Sequence, residues 1–205
     1  MTTNTKNLLK SILADISDIN YVRPEDIPNI NLYMDQVTTF MEEHLHSSKR
    51  YEDDKVLTKT MINNYAKNNL LPPPVKKKYS KEHVLVMIFI YYFKNILSIK
   101  DIETLLSPIT EQYFGNSEGM DLTSIYTETM DLERSRINSV VKDIVKSFNG
   151  ATECFEDAPD EERDYLQLFA FICSLSFDVY VKKLLVQKLI DEFGIKEEKK
   201  EKKKR

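Results

Sequence analysis

Cysteine, histidine and glycine are all scarce in this 205-residue sequence, which holds two, three and four of them. Cys154 and Cys173 stand alone and without ligand-type partners, which excludes a disulfide framework and a zinc site. His44 and His46 are two residues apart and point in different directions on a helix. His83 is distant from both. Four glycines and seven prolines leave little room for the tight turns of an all-β fold. Neither a glycine-rich phosphate loop nor a nucleophile elbow is present in the sequence. Enzymatic chemistry and a bound cofactor are therefore not expected.

Long apolar runs are missing too. The N-terminus, "MTTNTKNLLKSILADIS", lacks the apolar centre of a signal peptide. "HVLVMIFIYYF" is too short to span a bilayer, and "YLQLFAFICSLSFDVYV" is interrupted by Asp178 and bounded by Lys182 and Lys183. Both read as core helices. A cytoplasmic protein with no membrane partner is expected, with Cys173 as a buried, inert thiol.

What is abundant is helix-forming sequence, rich in Leu, Lys, Glu, Met and Ile, with 41% apolar and 30% charged residues. A mainly α fold follows. The spacing predicts helices over 5–18, 31–46 (with Leu32, Tyr33, Val37, Phe40, Met41 and Leu45 on one face) and 58–69, capped by Thr58. Ser80 caps a helix over 81–95 that is apolar nearly all round and so central. Ser98 opens another that Pro108 ends, and 109–122 reads as loop. Two long helices follow, over about 122–148, ending at Asn149-Gly150, and about 160–193, ending at Gly194.

The net charge is -4, yet the stretch from Lys55 to Lys81 contains seven lysines and no acid. Residues 111–164 hold fourteen acids against five bases. That asymmetry suits a directional, polyanionic partner. A helix–turn–helix reader needs a support helix, a polar helix and a basic element that reaches phosphate. Residues 31–46 supply the first. In 58–69, Met61, Ile62 and Tyr65 face inward and leave Lys59, Thr60, Asn63, Asn64 and Lys67 outside. The two asparagine amides suit a base edge. "LLPPPVKKKY" cannot be helical, and its Lys76, Lys77 and Lys78 suit phosphate contact. Double-stranded DNA is a partner these residues suit, against the simpler reading of a solvent-facing polar helix and a lysine run that serves solubility.

"TKTMINNYAKNNLLPPPVKKKYSKEHV" resembles the winged helix of the MerR transcriptional regulators. That family shows a cap, "TLRYY", "GLLPP" and a wing ending "GYRLYS". Here "MINNY" stands for the second element, "NLLPP" for the third and "VKKKYS" for the fourth. "KNILSIKDIETLL" resembles the family's "LGFSLEEIKELL". The likeness covers roughly 55–107. Asn63 and Lys77 replace family arginines, so bidentate contacts are not carried over. Asn69 replaces a glycine, and Tyr65 and Tyr79 read as packing residues. A closer resemblance, over most of the chain, is to a bacterial group catalogued as domain of unknown function 1836.

The resemblance implies a homodimeric, sequence-specific DNA-binding regulator. It divides the chain into an N-terminal helix and linker (1–30), a winged helix-turn-helix domain (31–108), a helical dimerisation or effector region (109–195) and a basic disordered tail (196–205). Two apolar sides of the last helix suit a dimer interface or a small-molecule effector pocket, against the simpler reading of bundle core. Two other readings stay open: a helical protein-interaction module that lost DNA binding, and a small-molecule sensor with its site between the two long helices.

Overall fold

Helix accounts for most of the chain in a computed structural model that describes residues 3–17, 21–116 and 118–204, with side chains described over 5–17, 21–116 and 118–194. The helices are α1 (Thr3–Ser17), α2 (Met34–Leu45), α3 (Lys59–Lys67), α4 (Lys81–Phe93), α5 (Ile99–Tyr113), α6 (Leu122–Thr152) and α7 (Asp160–Lys204). Two short strands, β1 (Leu32–Tyr33) and β2 (Lys78–Tyr79), pair antiparallel, with Leu32 opposite Tyr79 and Tyr33 opposite Lys78. Among the described residues no helix is long and apolar enough to cross a membrane.

The chain forms two compact units. One comprises Val22–Thr129 and Val186–Arg205, the other Met1–Tyr21 and Met130–Leu185. In the first, α4 is the centre. Nine consecutive residues, His83 to Tyr91, are buried, so every face of this helix finds apolar company. Around it lie Val37, Phe40 and Met41 from α2, Ile62 and Tyr65 from α3, Ile102 and Leu106 from α5, and Leu122 and Tyr126 from α6. Each such side chain contributes on the order of 1.5–3 kcal/mol of burial. Tyr126 meets Phe89 edge-on at 5.3 Å and donates its hydroxyl to the Val22 carbonyl at 2.7 Å. Burial pushes this phenol's pKa well up, so it stays a donor.

In the second unit Phe148 and Ala151 of α6 pack on Phe171 of α7, joined by Leu9 of α1. The two phenyl rings meet edge-on at 5.3 Å. Buried Gln167 donates to the carbonyls of Thr152 and Cys154 at 2.8 and 3.1 Å. It thereby satisfies acceptors that the end of α6 leaves open.

Several elements begin or end elsewhere than their spacing predicts. Leu32 and Tyr33 are extended rather than helical, because both pair with β2 and the Tyr33 N–H is taken by Gln36 at 2.8 Å in the capping box of α2. Pro108 does not end α5. Its fixed φ suits a helix and costs one hydrogen bond, while burial of Ile102 and Leu106 and the Phe114 N–H to Thr110 carbonyl bond carry the helix on. Of the expected loop, 109–113 is thus helical. α6 passes Asn149-Gly150 because Ala151 is drawn into the Phe148–Phe171 cluster.

α7 passes Gly194 for a different reason. A Cβ there would stand 3.0 Å from Thr104 Cγ2 of α5, so this glycine serves close approach and not a cap. The backbone stays helical to Lys204 where a disordered tail was expected, since lysine and glutamate propagate a helix already begun. The tail's side chains lie outside the described residues. Val22, Ile27, Leu122 and Tyr126 are buried with the unit that runs to Thr129. Cys173 is half-buried rather than enclosed, because α7 turns much of its apolar surface outward, Phe177 being 67% exposed.

Candidate nucleic-acid interface

α3 is short, and its start and end are both explained locally. The Thr58 hydroxyl accepts from the Met61 N–H at 3.2 Å, the capping bond expected of it. At the other end Asn69 takes a left-handed φ of 56°. The Leu70 N–H then reaches the Tyr65 carbonyl at 2.9 Å and the Asn69 N–H the Ala66 carbonyl at 3.3 Å. This is a Schellman closure, with asparagine in the place glycine usually takes.

Between these caps Ile62 and Tyr65 are buried, and burial raises the phenol pKa of Tyr65. Thr60, Asn63, Asn64 and Lys67 are all exposed. Their spacing of i, i+3, i+4 and i+7 makes one stripe along the helix. Among the described residues no hydrogen bond within the chain occupies the Asn63 or Asn64 side-chain amide. Both are therefore available for an outside partner.

Three prolines lead from α3 to a tight turn. The Lys78 N–H bonds the Val75 carbonyl at 3.0 Å, and Lys76 and Lys77 between them both have positive φ, 52° and 62°. That pair of dihedrals is the mark of a type I′ hairpin, which asparagine and glycine enter easily and lysine does not. Two lysines in succession in the left-handed region cost about 1 kcal/mol or more each. Strain of this kind persists only where the surroundings hold it. Here Lys78 is bridged to Val75 on one side and to Tyr33 on the other, and Tyr79 is buried. Tyr79 is a packing residue.

The start of α3 and the hairpin converge on the β1–α2 junction. The Lys59 ammonium pairs with the Asp35 carboxylate in the first turn of α2. Two residues earlier, the Tyr33 ring lies under the Lys78 ammonium, 4.9 Å from its centroid. Lys59 and Lys78, nineteen positions apart in sequence, thus meet neighbouring residues of one element. Lys76 and Lys77 stay exposed at the tip. Asp35 and Tyr33 escaped the sequence reading. An acid in a first helical turn has an ordinary dipole role, and only tertiary placement brings it to Lys59.

Behind the hairpin sits His83, buried at 3% exposure. Its Nδ1 accepts the Ser80 N–H at 2.9 Å, completing the cap of α4, so Nε2 carries the proton in the neutral ring. The rings of Tyr79 and Phe114 stand edge-on to it at 5.5 and 4.7 Å. Nε2–H lacks a well-formed acceptor among the described residues. It faces the backbone of Pro73 and Pro72, which favours the charged ring, but desolvation is the larger effect and lowers the pKa. Neighbouring Glu82 is pushed up by desolvation while both its oxygens accept the Gly115 N–H, at 3.0 and 2.9 Å.

A histidine with a depressed folded pKa lets the unfolded chain take up the proton first. Its contribution is whole above an unfolded pKa of about 6.5 and shrinks as pH falls through that value. Urea stability is expected to decline from pH 7.5 to 5.5, and a His83→Gln variant, which keeps an acceptor for Ser80, is expected to show a shallower decline. Equal slopes would contradict this role for His83.

Among the described residues no group of three or more His, Cys, Asp or Glu is arranged to hold a metal ion. What fold and site define is a mainly helical protein with a two-stranded sheet and a lysine-bearing hairpin beside a short polar helix. Residues 22–129 match the family model described as "Domain of unknown function (DUF1836)", and the chain belongs to that family. The matched span coincides with the continuous part of the first unit. No curated protein and no solved structure gives a match.

Proposed function

We propose that the protein is a sequence-specific DNA-binding regulator of transcription, with a MerR-like winged helix-turn-helix formed by α2, α3 and the Lys76–Lys77 hairpin. The observation that carries this reading is the convergence of Lys59 and Lys78 on the β1–α2 junction, flanked by an unoccupied amide stripe on α3. In this reading Thr60, Asn63 and Asn64 enter the major groove, and Lys67, Lys76, Lys77 and Lys78 hold phosphates. Exposed Phe177, Tyr180 and Leu184 on α7 support a homodimer, and a small-molecule effector is part of the same proposal.

Selection of random duplexes on the purified chain tests it. Enrichment of a two-fold symmetric site is the expected result, and no enrichment over bulk DNA would overturn it. Asn63→Ala is expected to cost about 1–3 kcal/mol at one base position of that site. Binding curves on single-base variants check this, and an equal loss on every sequence would contradict base reading by Asn63.

One observation favours a second reading, a protein-interaction module without DNA affinity: Asp35 puts a carboxylate on the same face and occupies Lys59. That reading expects no salt-sensitive affinity for any duplex.

A further inference from the structure

The connection from α2 to α3 and the last turn of α4 enclose a cleft of about 350 Å³, apart from the face described above. Four cationic side chains line it, Lys49, Arg50, Lys55 and Lys94, against the single carboxylate of Asp54. That carboxylate already accepts the Tyr51 N–H at 3.0 Å. Lys49 is spoken for, paired with Glu42 at 2.8 Å. Lys55 also acts on Glu42 from farther off, helping to hold that carboxyl's pKa down. Among the described residues no carboxylate lies within 4.0 Å of Lys94, Arg50 or Lys55.

Lys94 is the telling member. It is half-buried, and desolvation lowers its pKa. Its ammonium donates to the neutral Val56 carbonyl at 3.0 Å and lies 4.7 Å from the centroid of the Tyr91 ring. A partly desolvated ammonium held only by a carbonyl and a ring lacks the counter-charge such groups usually require. Arg50 stands with its guanidinium 5.2 Å from the Tyr51 ring centroid, leaving its donors open. The Tyr91 hydroxyl, hydrogen-bonded to Ser48, adds a neutral polar group to the wall. A single carboxylate would leave most of this positive charge unmatched. A phosphate dianion matches it, and both the forked guanidinium and the point-charge ammonium suit phosphate.

We propose that this cleft binds a phosphorylated small molecule, with Lys94 and Arg50 contacting the phosphate and Lys55 closing over it. Val56 and Lys55 lie just before Thr58, the cap of α3, so the ligand orders the segment that leads into that helix. The proposal does not rest on DNA binding.

The test is the melting temperature of the full chain titrated with inorganic pyrophosphate at constant ionic strength. A saturable rise of about 3–6 °C is expected at ten times Kd, whereas preferential exclusion of the salt gives an unsaturable drift. Lys94→Met and the exposed Arg50→Gln should each lose most of the rise, and Lys100→Ala, at an exposed position of α5, should keep it. No saturable rise in the wild type, or a rise of the same size in both cleft variants, overturns the proposal. A duplex titration separates the two sources of phosphate. Unchanged salt dependence in Arg50→Gln supports the small-molecule ligand. A slope lowered by about 1 assigns the cleft to the DNA backbone and overturns it. A protein that binds no DNA leaves the melting experiment intact.

Discussion

The double variant K76N/K77G is expected to be more stable than the natural chain by about 1–2 kcal/mol and to bind duplex DNA more weakly, with a salt slope lower by about 2. The two effects have separate causes. Stability rises because φ of 52° and 62° is strained for lysine and comfortable for asparagine followed by glycine. The hydrogen bond from the Lys78 N–H to the Val75 carbonyl survives, so the hairpin keeps its shape. Affinity falls because two exposed ammonium groups are gone and fewer counterions are released on binding. Denaturant unfolding and binding at several salt concentrations check the pair. A more stable variant with unchanged DNA affinity would detach the hairpin from any phosphate contact. A less stable one would mean that the lysine side chains themselves hold the turn.

Ile88→Ala is expected to cost about 2–5 kcal/mol, since Ile88 is fully buried in the middle of α4 and its removal leaves a cavity that close-packed neighbours fill only in part. At about 2–4 °C per kcal/mol for a chain of this length, the melting transition of the unit around α4 falls by about 4–20 °C. Asn63→Ala, on the exposed stripe, should shift stability by less than about 0.5 kcal/mol. The contrast is the useful part. Ile88→Ala weakens binding only through the folded fraction, while Asn63→Ala weakens it at full stability. An Ile88→Ala loss below about 1 kcal/mol would show that α4 is not the centre of its unit.

Much of this was legible because local chemistry decides it. Thr58 and Ser98 cap their helices through their own hydroxyls, and the apolar run after Ser80 admits no solvent face. The three prolines exclude helix between α3 and the hairpin. The polar stripe on α3 follows from spacing alone. What was not legible depends on distant partners. Helix ends moved wherever a buried contact outweighed the local stop signal: Ile102 and Leu106 over Pro108, Ala151 over Gly150, and the approach of Thr104 over Gly194. Tyr33 and Asp35 joined the site only through residues 45 and 24 positions away. The cleft around Lys94 needs three chain segments at once, and no spacing rule draws Arg50 and Lys94 together.

Pro72, Pro73 and Pro74 have one more consequence. Each fixes its own φ, and each restricts the residue before it as well. The step from Asn69 to Val75 therefore acts as a strut of set length, anchored at one end by buried Leu70 and Leu71. The spacing between helix and hairpin is a property of the backbone and not of any contact between them. Glycines in place of the prolines would loosen that gauge, and binding should weaken with every contact residue still present.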